Sequence, residues 1–403
     1  MSIRKRDTAI SIAGIAASQI ILFVCFTLIG RTWGPEELGN LNLNLSLGMF
    51  LGTIIAFRYE LACVQDEHEK SYNALIHTII ISSLSLAFLY LIARISNTEN
   101  TETILIFSAT FIIQQASSLY LNTLRKYTLI SAIKILSSIG FAISLISLIA
   151  LEKLSNTFET YTHINLAISF IVLVTIVIKS GKTKIGLDFF RENLKFPQYT
   201  FPATVLSAAL TYSLPIIIPM LFGPLTAGYF AATQRFGFFP VSLTAQSISG
   251  IFRRELISSI NSNKNTSLRI YKSHAKLLAG AALLYLTLGN LLFGPLIEIL
   301  LGDNWGETIT YFRILSPLYS IQIIYIPLSQ VFISTNNQRK DLAIQAMIFC
   351  AAAGSLFSSY QLSLEVLETL IIFSASSTAV LLLGILTTYK TIQSVSSCVP
   401  TKS

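Results

Sequence analysis

Charge is scarce in this chain of 403 residues. Asp, Glu, Lys and Arg make up 12 % of it, about half the share that soluble domains carry. A water-soluble fold of this length is excluded, because so few charges could not cover its surface. The four cysteines (Cys25, Cys63, Cys350, Cys398) are scattered, with no C-x-x-C and no paired spacing, which argues against a disulfide framework or a zinc site. His68, His77, His163 and His274 lack ligand spacing such as H-E-x-x-H, so neither a metal nor a cofactor is expected. The G-x-x-x-x-G-K-[ST] phosphate loop is missing as well, which leaves ATP hydrolysis within the chain unsupported.

What is present is apolar. Hydrophobic residues make up 53 % of the chain and its mean hydropathy is +0.65, the composition of a polytopic membrane protein. A helix crosses the roughly 30 Å hydrocarbon layer with about 20 apolar residues, and twelve stretches qualify. Six lie near 8–30, 38–57, 71–94, 103–124, 128–151 and 161–178. The other six lie near 200–221, 226–250, 275–301, 307–334, 339–358 and 366–389. The first follows "MSIRKRD" without a small-residue cleavage pattern, so it reads as an uncleaved transmembrane helix.

Alternating the loops across the membrane puts 22 of the 28 Lys and Arg residues on the side of the N-terminus. Only Arg31, Arg94 and Lys153 fall on the other side, and Lys134, Arg235 and Arg313 fall within spans. That bias marks the N-terminal side as cytoplasmic, with both termini there. It also accounts for the net charge of +8 through lipid headgroups, so no nucleic acid is expected. The two longest polar connections, 179–199 and 251–274, face the cytoplasm, and every outward loop is short.

The stretch "GPEELG" at 34–39 and the stretch "GPLTAG" at 223–228 repeat G-P-x-x-x-G at an offset of 189, joining spans 1–2 and 7–8. Pro stops a helix and Gly tolerates a tight turn. The constant offset points further, to a six-helix unit written twice. An even number of helices per unit keeps both copies in one orientation, so the repeats are parallel. The expected division is 1–190 and 191–403.

"RTWGPEELGNLNL" with "FRYELA", "LKFPQYTFPATVLSAALTYSLPIIIPMLFGPLTAGYFAATQRFGFFPVSLTAQSISGIFRREL" and "LLGDNWGETITYFRILSPLYSIQIIYIPLSQ" resemble bacterial polysaccharide flippases. These are the Wzx-type O-antigen repeat-unit exporters of the multidrug/oligosaccharidyl-lipid/polysaccharide superfamily. The resemblance runs over essentially the whole chain, with soft motifs and no catalytic signature. It implies an all-α, two-lobed, MATE-like fold of twelve transmembrane helices in the bacterial inner membrane. It also implies flipping of an undecaprenyl-diphosphate-linked glycan for O-antigen, capsule or a related surface polysaccharide. No enzymatic activity follows from it. Expected partners are the lipid-linked glycan, membrane lipids and other polysaccharide-assembly proteins. The competing readings are a small-molecule multidrug antiporter and a membrane-embedded polymerase. Cationic mid-span residues weigh against the first, and the lack of a large outward loop weighs against the second.

Intramembrane charges cost at least about 2.5–3.5 kcal/mol and are functional candidates by default. Arg235, about ten residues into span 8, is too deep to snorkel to either side. It suits a diphosphate received bidentately, with an internal carbonyl or carboxylate as the alternative partner. Lys134 is some two turns into span 5, where snorkelling competes with a cavity role. Arg313, beside Tyr311 and Phe312, reads as a substrate contact or an interfacial anchor. Arg58 and Glu60, in "FRYEL", end span 2 as a gate or a cytoplasmic phosphate contact, against ordinary positive-inside flanking. Gln115 and Gln234 are candidates for sugar hydroxyls, although helix packing is the commoner use of such amides.

Overall fold

The computed structural model describes residues 3–64, 67–96, 100–151, 157–180, 186, 188–262, 264–335 and 337–397. Lys153, Lys182, Lys184 and Lys402 of the charge count lie outside them. Among the described residues there is no strand. In chain order the helices are α1 (Ile3–Ile54), α2 (His68–Ser96), α3 (Thr101–Thr123), α4 (Tyr127–Ala150), α5 (Thr157–Ser180), α6 (Phe189–Glu192) and α7 (Phe201–Ala232). They continue as α8 (Phe239–Ser262), α9 (Lys264–Leu301), α10 (Gly306–Leu328), α11 (Gln330–Ser334), α12 (Gln338–Leu362) and α13 (Val366–Ser397). Among the described residues, ten continuous helical stretches are long and apolar enough to cross a membrane, which makes this a multi-pass membrane protein.

Ten stretches hold twelve spans because two of them are doubled. Ala16–Ile54 and Thr204–Ile260 contain 39 and 57 residues, or about 58 and 85 Å of helix, far more than one crossing needs. Each is broken at one residue: Gly34 has φ 83°, ψ −173° and Gly223 has φ 85°, ψ 170°. That region of backbone space is open essentially to glycine alone. A Cβ at either position would meet nothing within 4 Å, so glycine is required by the backbone and not by space. Pro35 and Pro224 follow as first residues of the next helical arm, where the missing N–H has no helical partner to lose. The outward turns expected at 31–37 and 222–225 are thus reversals at single residues, with helix kept on both sides.

The contacts of α1 trace its reversal. Gly14 packs on Ser131 near the start of α4, and Ser18 Oγ lies 2.7 Å from Ser138 Oγ. Glu37 Oε1, just past the turn, accepts from Thr157 Oγ1 at the start of α5 at 2.6 Å. The chain then returns along α3, with Gly48 against Phe107 and Gly52 against Phe111. Small residues here let helices approach where no hydrophobic effect drives them together.

The chain divides into two compact units, Met1–Tyr212 and Ser213–Ser403. The boundary falls within the first arm of α7, beyond the 190/191 division expected from the repeat.

One expected loop is helical. The polar connection 251–274 continues α8 to Ser262 and starts α9 at Lys264. Its buried side chains recur at helical spacing, Phe252, Leu256 and Ser259 on one helix and Ser267 and Tyr271 on the other. Phe252 touches the rings of Tyr271 and His274, and Ser259 Oγ lies 2.9 Å from Ser267 Oγ. Polar composition concealed this narrow apolar seam.

Candidate functional site

Arg235 sits on a π-helical segment, Thr233–Gly237, between α7 and α8. Such segments insert an extra residue into the helical ladder and are common at functional sites. Three contacts hold the segment against its neighbours. Thr233 is fully buried, and its Oγ1 donates to the carbonyl of Thr308 at 3.1 Å. The Tyr285 hydroxyl donates to the Gly237 carbonyl at 2.7 Å. Gly237 itself lies on the Phe312 ring. Arg235 is half-buried between these anchors. It stands eleven residues past Pro224, about 16 Å along the helix and near the middle of a bilayer roughly 30 Å thick. Gln234 is beside it on the same segment, also half-buried.

Arg313 lies on α10, the helix against which that segment packs, but on its exposed face with Pro317, while Phe312 is buried. The second unit therefore brings Gln234, Arg235 and Arg313 onto two touching elements. In the first unit, Lys134 is exposed on α4, seven residues or about 10 Å from the helix start. Gln115 is half-buried on α3; its Oε1 is buried and has no hydrogen-bond partner among the described residues. Its neighbour Gln114 donates to Asn165 Oδ1 at 3.1 Å.

Arg58 and Glu60 do not simply flank a helix end. Past α1, Phe57 and Arg58 both take positive φ, 49° and 65°, uncommon for residues other than glycine. The chain then folds into a 3-10 turn, Tyr59–Cys63. That kink buries Glu60 completely and sets its Oε1 2.8 Å from Arg58 Nη1. Burial raises the Glu60 carboxyl above its ordinary range, with Arg58 pulling the other way. Tyr59 packs on Phe189 and Phe190, and Ser71 and Thr123 both donate to the Cys63 carbonyl.

The sequence reading missed what supports Arg235: Thr233, Tyr285 and Thr308. A signal was present for part of it. Gly48 and Gly237 are again 189 residues apart, each packs on a phenylalanine, and each carbonyl accepts a hydroxyl. At Gly48 the donor is Ser108 Oγ, at 3.0 Å. By the same offset Ser46 stands where Arg235 stands, so the charge is peculiar to the second unit.

The lipid II flippase MurJ, in an inward closed conformation, superposes with a TM-score of 0.73 at 16 % identity, over 96 % of this chain and 89 % of that one. An inward-facing multidrug-resistance MATE family transporter of the MOP superfamily gives 0.64 at 16 % identity, over 97 % and 100 %. An outward-facing one gives 0.58 at 13 %, over 98 % and 96 %. At these identities the likeness shows a shared MATE-like transporter fold. No curated protein matches the chain. A family model described as polysaccharide biosynthesis protein matches residues 64–310. Since that match spans more than half of the chain, the chain belongs to the polysaccharide biosynthesis protein family.

Proposed function

We propose that this protein is a flippase that moves undecaprenyl-diphosphate-linked oligosaccharide repeat units across the bacterial cytoplasmic membrane, both termini facing the cytoplasm. The units would feed a surface polysaccharide such as O-antigen or capsule. The observation that carries the reading is Arg235, a mid-span guanidinium on a segment tied down by Thr233, Gly237 and Tyr285. A guanidinium is always charged and presents a planar fork that fits two phosphate oxygens. A diphosphate is the part of a lipid-linked glycan that apolar spans cannot carry unaided. Arg313 and Lys134, exposed on α10 and α4, would add positive potential along the path. Arg58 would meet the diphosphate on the cytoplasmic side, and Gln115 and Gln234 would bond sugar hydroxyls.

The test is a pair of substitutions read against protein abundance in the membrane. Arg235→Ala is expected to abolish surface glycan at normal abundance. Arg235→Lys is expected to keep part of it, since charge survives and the fork is lost. Unchanged glycan in Arg235→Ala would sink the anion role. Export of cationic drugs that Arg235→Ala leaves intact would instead favour a multidrug antiporter on the same fold.

A further inference from the structure

The helical extension formed by α8 and α9 carries a second concentration of positive charge, separate from Arg235. Between Ile251 and Lys276 there are six basic residues and one acidic residue, Glu255. On α9, Arg269, Lys272 and Lys276 are all exposed and follow one another at spacings of three and four, which aligns them as one stripe. On α8, Arg253 and Arg254 are exposed as well. Contacts between the helices set these groups level with one another. Phe252 meets Tyr271 and His274, and Glu255 Oε2 lies 3.6 Å from His274 Nε2. Arg253 and Arg254 therefore stand beside the turns that carry Lys272 and Lys276.

Their height relative to a bilayer follows from the sequence. From Leu277 to Leu301, α9 carries a single charge, Glu298, and Lys276 is the first basic residue below that apolar run. From Pro224 to Phe252 the chain carries only Arg235, and Arg253 and Arg254 are the next charges. The 38 residues of α9 are about 57 Å long, against about 40–45 Å for a bilayer with its headgroups. Lys272, Lys276, Arg253 and Arg254 thus come where hydrocarbon gives way to headgroups. Exposed Ile251 and Leu277 adjoin them, the mixture of apolar and basic groups that suits the boundary between acyl chains and phosphates.

We propose that Arg253, Arg254, Lys272 and Lys276, reinforced by Arg269, form a collar that binds anionic phospholipid headgroups. The collar recruits a shell of phosphatidylglycerol-like lipid around the second unit. The cations spread over two exposed helix surfaces, so they act as a field on the lipid surface and not as a pocket for one phosphate. This inference stands on charge and membrane depth and is independent of what the protein transports.

The full chain is reconstituted in vesicles of phosphatidylcholine and phosphatidylglycerol, with a trace of either lipid carrying a spin label. The motionally restricted fraction of each label reports its association with protein. The wild type is expected to favour phosphatidylglycerol, and the preference is expected to fall with added salt. Replacing Arg253, Arg254, Lys272 or Lys276 by Gln is expected to weaken the preference by up to about fivefold per residue. Arg253→Lys with Arg254→Lys is expected to retain it. Because the Gln substitutions are made singly, the test does not depend on the folding of a variant that lacks all four charges. Equal association of both lipids with the wild type would overturn the proposal. So would loss of the preference in the lysine variants, which would mark a geometric arginine site. Displacement of the labelled lipid by inorganic diphosphate in isotonic potassium chloride would overturn it too, by revealing a discrete phosphate pocket.

Discussion

Gly237 lies so close to Phe312 that a Cβ on the glycine would stand 2.8 Å from Cδ2 of the ring, and Gly48 lies against Phe107 in the same way. Both rings are buried and cannot swing out cheaply. Gly48→Ala and Gly237→Ala are each expected to destabilise by about 1–3 kcal/mol, as overpacking does. The check is the temperature at which half of the detergent-solubilised protein ceases to be monodisperse. Phe107→Leu and Phe312→Leu should each restore part of the loss in the matching alanine variant. An alanine variant as stable as the parent would show that this close approach is not needed.

The pair also shows how far the sequence was legible. Twelve spans and the duplicated Gly-Pro turn could be read because apolar length and a constant offset are local patterns. The same offset reaches Gly48 and Gly237, but one shared glycine in an apolar run is a faint signal until the facing phenylalanines are known. The π segment at Arg235 was hidden for a related reason. Thr233 and Gly237 are held by Thr308 and Tyr285, which are 75 and 48 residues away, and no periodicity along the chain encodes those bonds. The left-handed kink at Phe57 and Arg58 likewise depends on packing around Tyr59 and Glu60. The α8–α9 extension was legible in principle through Phe252, Leu256 and Tyr271, yet its many polar residues suggested a loop.

The Arg58–Glu60 pair makes a prediction that separates structure from transport. Removing one partner of a buried pair leaves an uncompensated charge and typically costs about 3–5 kcal/mol, so Glu60→Ala should lower thermal stability sharply. Replacing both, as Arg58→Met with Glu60→Leu, should recover most of it, because apolar residues of similar volume often substitute without loss. If Arg58 meets the diphosphate, the stable double variant will still fail to display surface glycan. Full glycan in that variant would confine the pair to a structural role.

The same pair sets a pH dependence. Burial raises the Glu60 carboxyl in the folded protein above its ordinary value of 4.5. In the window above that value the native state holds a proton that the unfolded chain has released. Its contribution to stability is therefore complete below the unfolded value and is lost as pH rises through the folded one. Glu60→Gln should remove this part of the slope. Identical profiles of thermal stability against pH for the parent and Glu60→Gln would contradict it.

Orientation can be checked on exposed positions at opposite ends of one helix. Asn304, beyond the end of α9, and Arg269, near its start, are both exposed. In a background without cysteine, Asn304→Cys should react with an impermeant thiol reagent in intact cells whose outer barrier has been permeabilised. Arg269→Cys should react only after the cells are lysed. The reverse pattern would turn the protein over and place the 22 basic residues outside.

The duplicated carbonyl contacts allow a last comparison, in which one copy serves as control for the other. Tyr285→Phe removes the hydroxyl that donates to the Gly237 carbonyl at 2.7 Å. Ser108→Ala removes the one that donates to the Gly48 carbonyl at 3.0 Å. Losing one such hydrogen bond costs about 0.5–1.5 kcal/mol, and lipid supplies no replacement donor. Ser108 also bonds the Ile104 carbonyl at 2.8 Å, a bond made within its own helix, so its loss should weigh less. Both variants should lose stability, Tyr285→Phe the more. Only Tyr285 steadies a segment that bears an arginine, because Ser46 takes the matching place in the first unit. Surface glycan per folded molecule should therefore fall in Tyr285→Phe and stay near the parent level in Ser108→Ala. Equal falls in the two variants, at matched abundance, would mean that the π segment contributes rigidity in general and does not position Arg235.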